Sequence, residues 1–236
     1  MWIVLCDPGD RSALWAATGL RSRRLSPVEV ITPAELVYGP RNEYRIRNGV
    51  GDLQVTLGDG RKVDSSRVRG VLNRMTVVPS QHLRHARQAD RAYALEEWSA
   101  LVVSWLASMT NVINSPHPLG LCGQTRHPSE WAKLAGEAGL DSRYIHGRLT
   151  GPTTEHSAVV VLDDAAFGPA TTGDIGAACV RLASLAGTRL LGLWLSGRDG
   201  PAMTLVAATP LPDLRVGGES LLDELAERLS VRSRAA

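Results

Sequence analysis

The chain has 236 residues, 44% of them hydrophobic, enough to build one large or two small domains around a real core. With 26 basic and 24 acidic residues the formal charge is +2, so the molecule as a whole makes no electrostatic case for nucleic acid or an anionic membrane. Its three scattered cysteines, Cys6, Cys122 and Cys179, supply neither a disulfide framework nor a zinc-ligand set.

The N-terminus, MWIVLCDPGD, is apolar for a few residues and then acidic, without the basic start and long apolar run of a signal peptide. The stretch Leu95 to Met109 is interrupted by Glu96 and Glu97 and falls short of a membrane span. The expectation is a soluble, cytoplasmic protein.

Trp2 to Cys6 is a continuous apolar run ended by Asp7-Pro8-Gly9-Asp10, the pattern of a buried parallel strand followed by a turn. Asp10 can cap a helix whose inner face is Leu14, Ala17 and Leu20. Pro27 to Ile31 is a second short strand, and Thr32-Pro33-Ala34-Glu35 starts a helix with proline at its first position. The period then changes to two: Tyr44 to Arg47 and Leu53 to Leu57, separated by Gly49-Val50-Gly51, predict an antiparallel hairpin that turns at Gly58-Asp59-Gly60 towards Val63. Val68 to Leu72 is another buried strand, ending in Asn73-Arg74.

Gln88 to Ser108 is the strongest helix, with Ala92, Leu95, Ser99, Val102 and Leu106 at helical spacing. Asn111 to Asn114 is a short strand stopped by Ser115-Pro116-His117-Pro118. Pro128 opens a helix through Trp131, Leu134 and Ala138 that Gly139 closes. Asp141 to Glu155, with Gly147, Gly151 and Pro152, shows no pattern. Ala158 to Leu162 is a strand, Asp163-Asp164 a turn, Ile175 to Ala186 a helix, Leu190 to Leu195 and Met203 to Ala208 strands, and Leu221 to Leu229 an amphipathic helix before a tail that frays from Val231.

In this order the elements resemble the ATP-grasp superfamily, in particular bacterial ligases that join amino acids or modify peptides. Four places carry the resemblance: the hairpin followed by the strand ending Asn73-Arg74; the helix with Tyr93 and Glu96-Glu97 leading to Asn111-Val112-Ile113-Asn114-Ser115-Pro116; the helix within His127 to Leu140; and the stretch from Cys179 through Leu193 to Gly218. The resemblance implies an α/β fold, with a pre-ATP-grasp Rossmann-like N-terminal domain over residues 1–125 and a reduced ATP-grasp-like C-terminal α+β part over residues 126–236.

The departures are as informative. Members of the family carry between the matched regions a small α/β lid whose lysines hold ATP phosphates. Here only Asp141 to Glu155 lies there, and one crossover unit already needs about 30 residues. Lys62 and Lys133, the only lysines, follow the hairpin turn and lie in an upstream helix. Where the family places a Glu and an Asn on magnesium, the chain reads Thr204-Leu205-Val206-Ala207-Ala208-Thr209-Pro210, without carboxylate or amide. The implied protein is a catalytically degenerate one that uses no nucleotide cofactor and no metal.

Arg74 follows a central strand, where open α/β sheets bind ligands, and can grip a carboxylate; equally it can cap a helix or pair with Glu96 or Glu97. Asn114 to Pro118 can present a donor and the His117 imidazole, or can simply turn the chain. Asp213, Arg215, Gly217 and Gly218 precede the last helix, whose N-terminus can attract an anion; the alternative is a connecting loop with an internal Asp–Arg pair. Arg21 to Arg24 and His82 to Arg91 lack aromatic interleaving and read as solvated faces.

The ligand set expected is Asn73, Arg74, Asn114, Arg215, Gly217 and Gly218, holding a peptide or amino-acid-like molecule, or else a partner biosynthetic enzyme, in a bacterial natural-product pathway. A second expectation is a nucleotide-independent enzyme using Arg74, His117, Asp213 and Arg215 for amide transfer, cyclisation or hydrolysis. A third is one half of a split ligase. A homodimer is also expected, since loss of a lid bares apolar surface.

Overall fold

All four side chains of β1 (Trp2–Leu5) are buried, as a parallel strand covered on both faces requires. The computed structural model describes residues 1–47, 50–145, 148–150, 156–171, 173–197 and 203–231. They divide into two compact units, Met1–Cys122 with the segment from Ala226, and Gly123–Leu225.

In the first unit α1 (Arg11–Ser22) starts at Asp10, whose side chain accepts from Ala13 N at 2.9 Å. Its inner face is Ala13, Ala16, Ala17 and Leu20; Leu14, expected inside, is 39% exposed, because the small alanines let the helix lie close on the sheet. After β2 (Val28–Ile31), α2 (Pro33–Val37) begins with a complete capping box between Thr32 and Glu35. The alternating segment forms β3 (Arg41–Arg47), β4 (Val50–Thr56) and β5 (Lys62–Asp64), an antiparallel sheet in that order with Tyr44 opposite Leu53. Tyr44 lies across Gly51, where a Cβ would meet the phenol oxygen at 2.1 Å.

Next come β6 (Gly70–Asn73), α3 (Gln88–Ser108) and β7 (Val112–Ile113), completing a four-stranded parallel sheet in the order β2-β1-β6-β7. The α3 boundaries match the periodicity, but its inner face does not run the full length. Val102, Trp105 and Leu106 are buried, Leu95 and Ser99 only partly, and Ala92 is exposed. Tyr44 Oη and Ser104 Oγ share a hydrogen bond at 2.5 Å, and Leu95, Trp98 and Leu101 pack against the same core while staying partly exposed.

The second unit opens with α4 (Pro128–Ala138), closed by Gly139 at φ 83°. Asp141 to Glu155 is not patternless: it contains β8 (Asp141–Ile145) and β9 (Arg148–Thr150), an antiparallel pair. Both strands are short and polar, which hides them from any hydrophobic period. Gly147, Gly151 and Pro152 lie outside the described residues, as do Gly49 and the tail from Arg232. Then follow β10 (His156–Leu162), β11 (Ala165–Phe167), α5 (Asp174–Leu185), β12 (Leu190–Ser196), β13 (Thr204–Thr209) and α6 (Gly218–Ser230), of which the residues from Ala226 on count with the first unit. The sheet order is β11-β10-β12-β13-β8-β9, and only β13 and β8 pair in parallel. Its core includes Trp131, Leu182, Leu191, Leu193, Leu195 and Leu205. No described helix is long and apolar enough to cross a membrane.

Candidate functional site

Three neighbouring strands of the parallel sheet, β1, β6 and β7, end in Cys6-Asp7, Asn73-Arg74 and Asn114-Ser115. Leu5 and Asn73 are paired, and the next amide, Arg74 N, donates to Leu5 O at 2.8 Å. The Arg74 side chain is 4% exposed, and its Nε donates to Asp10 Oδ2 at 2.7 Å. Neither Glu96 nor Glu97 forms this bond; the partner is the residue that caps α1. Arg74 Nη1 is buried without a hydrogen-bond partner. A buried cationic N–H left unmade costs on the order of 1–3 kcal/mol or more, so this group calls for an acceptor.

Asn73 is fully buried, and both its N–H donors are committed: Nδ2 donates to Asn114 O at 2.8 Å and to Leu121 O at 2.7 Å. Its Oδ1 accepts from Met75 N at 3.2 Å. It ties the end of β6 to the loop after β7. Asn114 sits at φ 60°, a left-handed conformation that asparagine tolerates better than most residues. His117 exchanges backbone hydrogen bonds with Gly120, and its Nδ1 accepts from Leu119 N at 3.1 Å, which makes it part of a local turn. Asp7 accepts from Thr76 Oγ1 at 3.2 Å.

Cys6 lies among these charges. Burial, then Asp10, push its thiol up to about 11 against a counter-pull from Arg74. Burial also raises Cys122, and alone raises Cys179 to about 12. None is primed as a nucleophile. Because the folded thiols hold their protons more tightly than unfolded ones, their stabilising contribution is complete below pH 9 and is lost as pH rises towards 11 and 12. Thermal melts of Cys6→Ala and Cys179→Ala are expected to fall less steeply over that window than melts of the parent. A parallel decline would show that the thiols contribute nothing there.

The remaining candidates belong to the second unit. Asp213 and Arg215 close on each other, with Arg215 Nη2 to Asp213 Oδ2 at 2.6 Å and Nε to Oδ1 at 2.8 Å, and Asp213 Oδ1 also accepts from Arg215 N. The segment Leu214–Gly217 is a turn of 3-10 helix, and Arg215 is exposed. Both glycines have steric reasons: a Cβ on Gly217 would stand 2.5 Å from Leu221 Cβ, and Gly218 has φ 58°. Pro212 anchors this loop on β12, where a Cβ on Gly192 would come within 2.8 Å of it.

Lys62 is exposed at the start of β5, and Lys133 is 77% exposed beside Glu137 at 3.8 Å. On β13, Thr204 Oγ1 donates to Asp141 Oδ2 at 3.3 Å, and Val206, Ala207 and Ala208 bring no side-chain oxygen. Among the described residues no three His, Cys, Asp or Glu side chains gather as a metal set. The sequence marks Arg74 but not its partner Asp10, nor Asp7; the signal was the Asp7-Pro8-Gly9-Asp10 turn directly after β1.

No protein-family model matches the chain, and no curated protein matches it by sequence. Its fold does match solved structures. The ATP-grasp ligase PsnB, complexed with a minimal precursor, Mg and ADP, superposes with TM-score 0.68 at 16% identity, covering 99% of this chain and 98% of the other. Macrocyclase MdnC from Microcystis aeruginosa MRC, bound with precursor peptide MdnA, gives 0.68 at 10% identity over 97% and 98%. A Chryseobacterium gregarium RiPP-associated ATP-grasp ligase, in complex with ADP and a leader and core peptide, gives 0.68 at 9% over 98% of each chain. The chain has a mixed α/β, ATP-grasp-like fold.

Proposed function

We propose that this ATP-grasp-like chain is an accessory protein of a peptide-modification pathway that binds a peptide or amino-acid-like ligand without turning over nucleotide. The observation that carries the reading is the buried Arg74 guanidinium at the C-terminal edge of the parallel sheet, with Nη1 unpaired. A ligand carboxylate or amide oxygen supplies the acceptor it lacks. Asp10 already balances the Arg74 charge, so Asp7 remains as a carboxylate that would repel a simple anion. A molecule bearing both an ammonium and a carboxylate suits that set better than a phosphate does. The structural neighbours that hold precursor peptides add weight to a peptide ligand.

ATP and Mg²⁺ fit the residues poorly. The two lysines are exposed, one on β5 and one on α4, and the end of β13 offers no carboxylate. Magnesium needs several hard oxygen ligands in near-octahedral array, which Val206, Ala207 and Ala208 do not supply. We read residues 126–236 as the reduced counterpart of the ligase core and residues 1–125 as the ligand-binding part. The alternative, a nucleotide-independent enzyme, needs free side chains, whereas His117 is held in its own turn and Asp213 and Arg215 hold each other.

Thermal shift tests the peptide-binding, nucleotide-independent reading. A tripeptide with free termini is expected to raise the midpoint of the native chain, by about 2.7 kcal/mol of stabilisation at a hundredfold excess over Kd, and to leave Arg74→Met unmoved. Mg²⁺ with a non-hydrolysable ATP analogue is expected to leave both unmoved. Stabilisation by the nucleotide, or an equal peptide effect on the variant, would sink the reading.

A further inference from the structure

We propose that the group Arg74 receives is the C-terminal carboxylate of a peptide, gripped end-on by both terminal nitrogens of the guanidinium beside the N-terminus of α1. This rests on the peptide-binding reading of the same site, and narrows its ligand from any carboxylate or amide oxygen to one kind of chain end.

A guanidinium carries its donors in a fixed fork. Nε is spent on Asp10 Oδ2 at 2.7 Å, which leaves the end-on edge formed by Nη1 and Nη2. Among the described residues neither of these nitrogens has a hydrogen-bond partner; Nη1 is sealed from water and Nη2 is not. Two parallel N–H groups match the two oxygens of a carboxylate, whereas an amide brings a single oxygen. The side chain is 4% exposed, so each donor left unmade there is costly, and a carboxylate removes two at once.

Charge at the site favours the same group. Asp10 Oδ1 accepts from Ala13 N at 2.9 Å while Oδ2 holds Arg74, so its negative charge is shared between a helix N-terminus and a cation. α1 runs for 12 residues, and the positive end of its dipole lies at that cap. An incoming carboxylate therefore meets two positive sources against Asp10. Asp7 stands on the neighbouring strand end, since Leu5 of β1 is paired with Asn73 of β6. The N–H of the terminal residue, beside its own carboxylate, offers Asp7 a donor in addition to Thr76 Oγ1. With Nη1 sealed, the carboxylate enters head first and the rest of the peptide leaves on one side. The turn from Asp7 to Asp10 gives it room: Pro8 and Gly9 are exposed, and a Cβ on Gly9 would meet nothing within 4 Å. A mid-chain carbonyl would carry chain in two directions.

Thermal shift of the full chain at matched ionic strength, with four peptides, tests this. Trialanine is expected to raise the midpoint, and its N-acetyl form to bind within about tenfold of it. Trialanine amide is expected to bind at least about tenfold more weakly, and so is the amide of alanyl-aspartyl-alanine, whose only carboxylate is a side chain. Arg74→Lys keeps the charge against Asp10 but lacks the fork, and is expected to bind trialanine and its amide alike. Circular dichroism checks that this variant is folded. An amide or aspartyl amide that shifts the chain as the free acid does, an acetylated form weaker than the amide, or a lysine variant that still prefers the acid would each overturn the assignment and leave peptide binding standing. No shift from any of the four peptides would remove the peptide-binding reading itself, and the chain-end assignment with it.

Discussion

Asp10→Ala is expected to destabilise the protein by about 4 kcal/mol, and adding Arg74→Met to return a large part of that loss. Asp10 has two tasks: one oxygen caps α1 through Ala13 N, and the other receives Arg74 Nε. Losing a cap costs about 1 kcal/mol. Leaving a cation without its partner where it is 4% exposed costs about 3 kcal/mol more, because the guanidinium cannot reach water. Methionine keeps the volume and removes the charge, so the double variant suffers mainly the cap loss. Urea unfolding of the four chains in this cycle gives the coupling directly. If the single changes simply add, Arg74 finds compensation elsewhere, and its claim to need a ligand acceptor weakens with it.

Trp105→Ala is expected to cost about 3–5 kcal/mol, the range for emptying a large aromatic site. Trp105 is fully buried among the core residues of the first unit, between the hairpin side chains and the sheet. Its indole Nε1 has no hydrogen-bond partner, so the ring contributes by volume and apolar area rather than by its polar handle. Trp105→Phe is accordingly expected to cost less than about 1.5 kcal/mol, since it sheds an unpaired donor while losing part of the packing. A phenylalanine variant as unstable as the alanine one would mean that the N–H is satisfied in solution. Chemical denaturation followed by circular dichroism reads both.

Particular elements show where the sequence was legible. Gln88 to Ser108 keeps one period for about six turns, and α3 occupies that span. Alternation fixed the β3–β4 pairing, and Gly139 marked a helix end that needs positive φ. The pair β8 and β9 carried no such signal, since Arg143, Tyr144 and Arg148 are ordinary in any loop and those strands exist only because they pair with each other and β8 with β13. Arg74 was readable as a residue at a strand end, but the choice between Asp10 and the glutamates of α3 was not, for Asp10 stands 64 residues away in sequence.

The sequence by itself determined the periodic elements, their order and the identity of the charged residues at the strand ends, because periodicity and capping act over a few residues. Only the tertiary structure decided which half of α3 is covered, which carboxylate receives Arg74, and which strand is left as an edge. Those outcomes depend on segments distant in the chain meeting in space, and burial, ion pairing and strand partnership acquire their energies at that meeting.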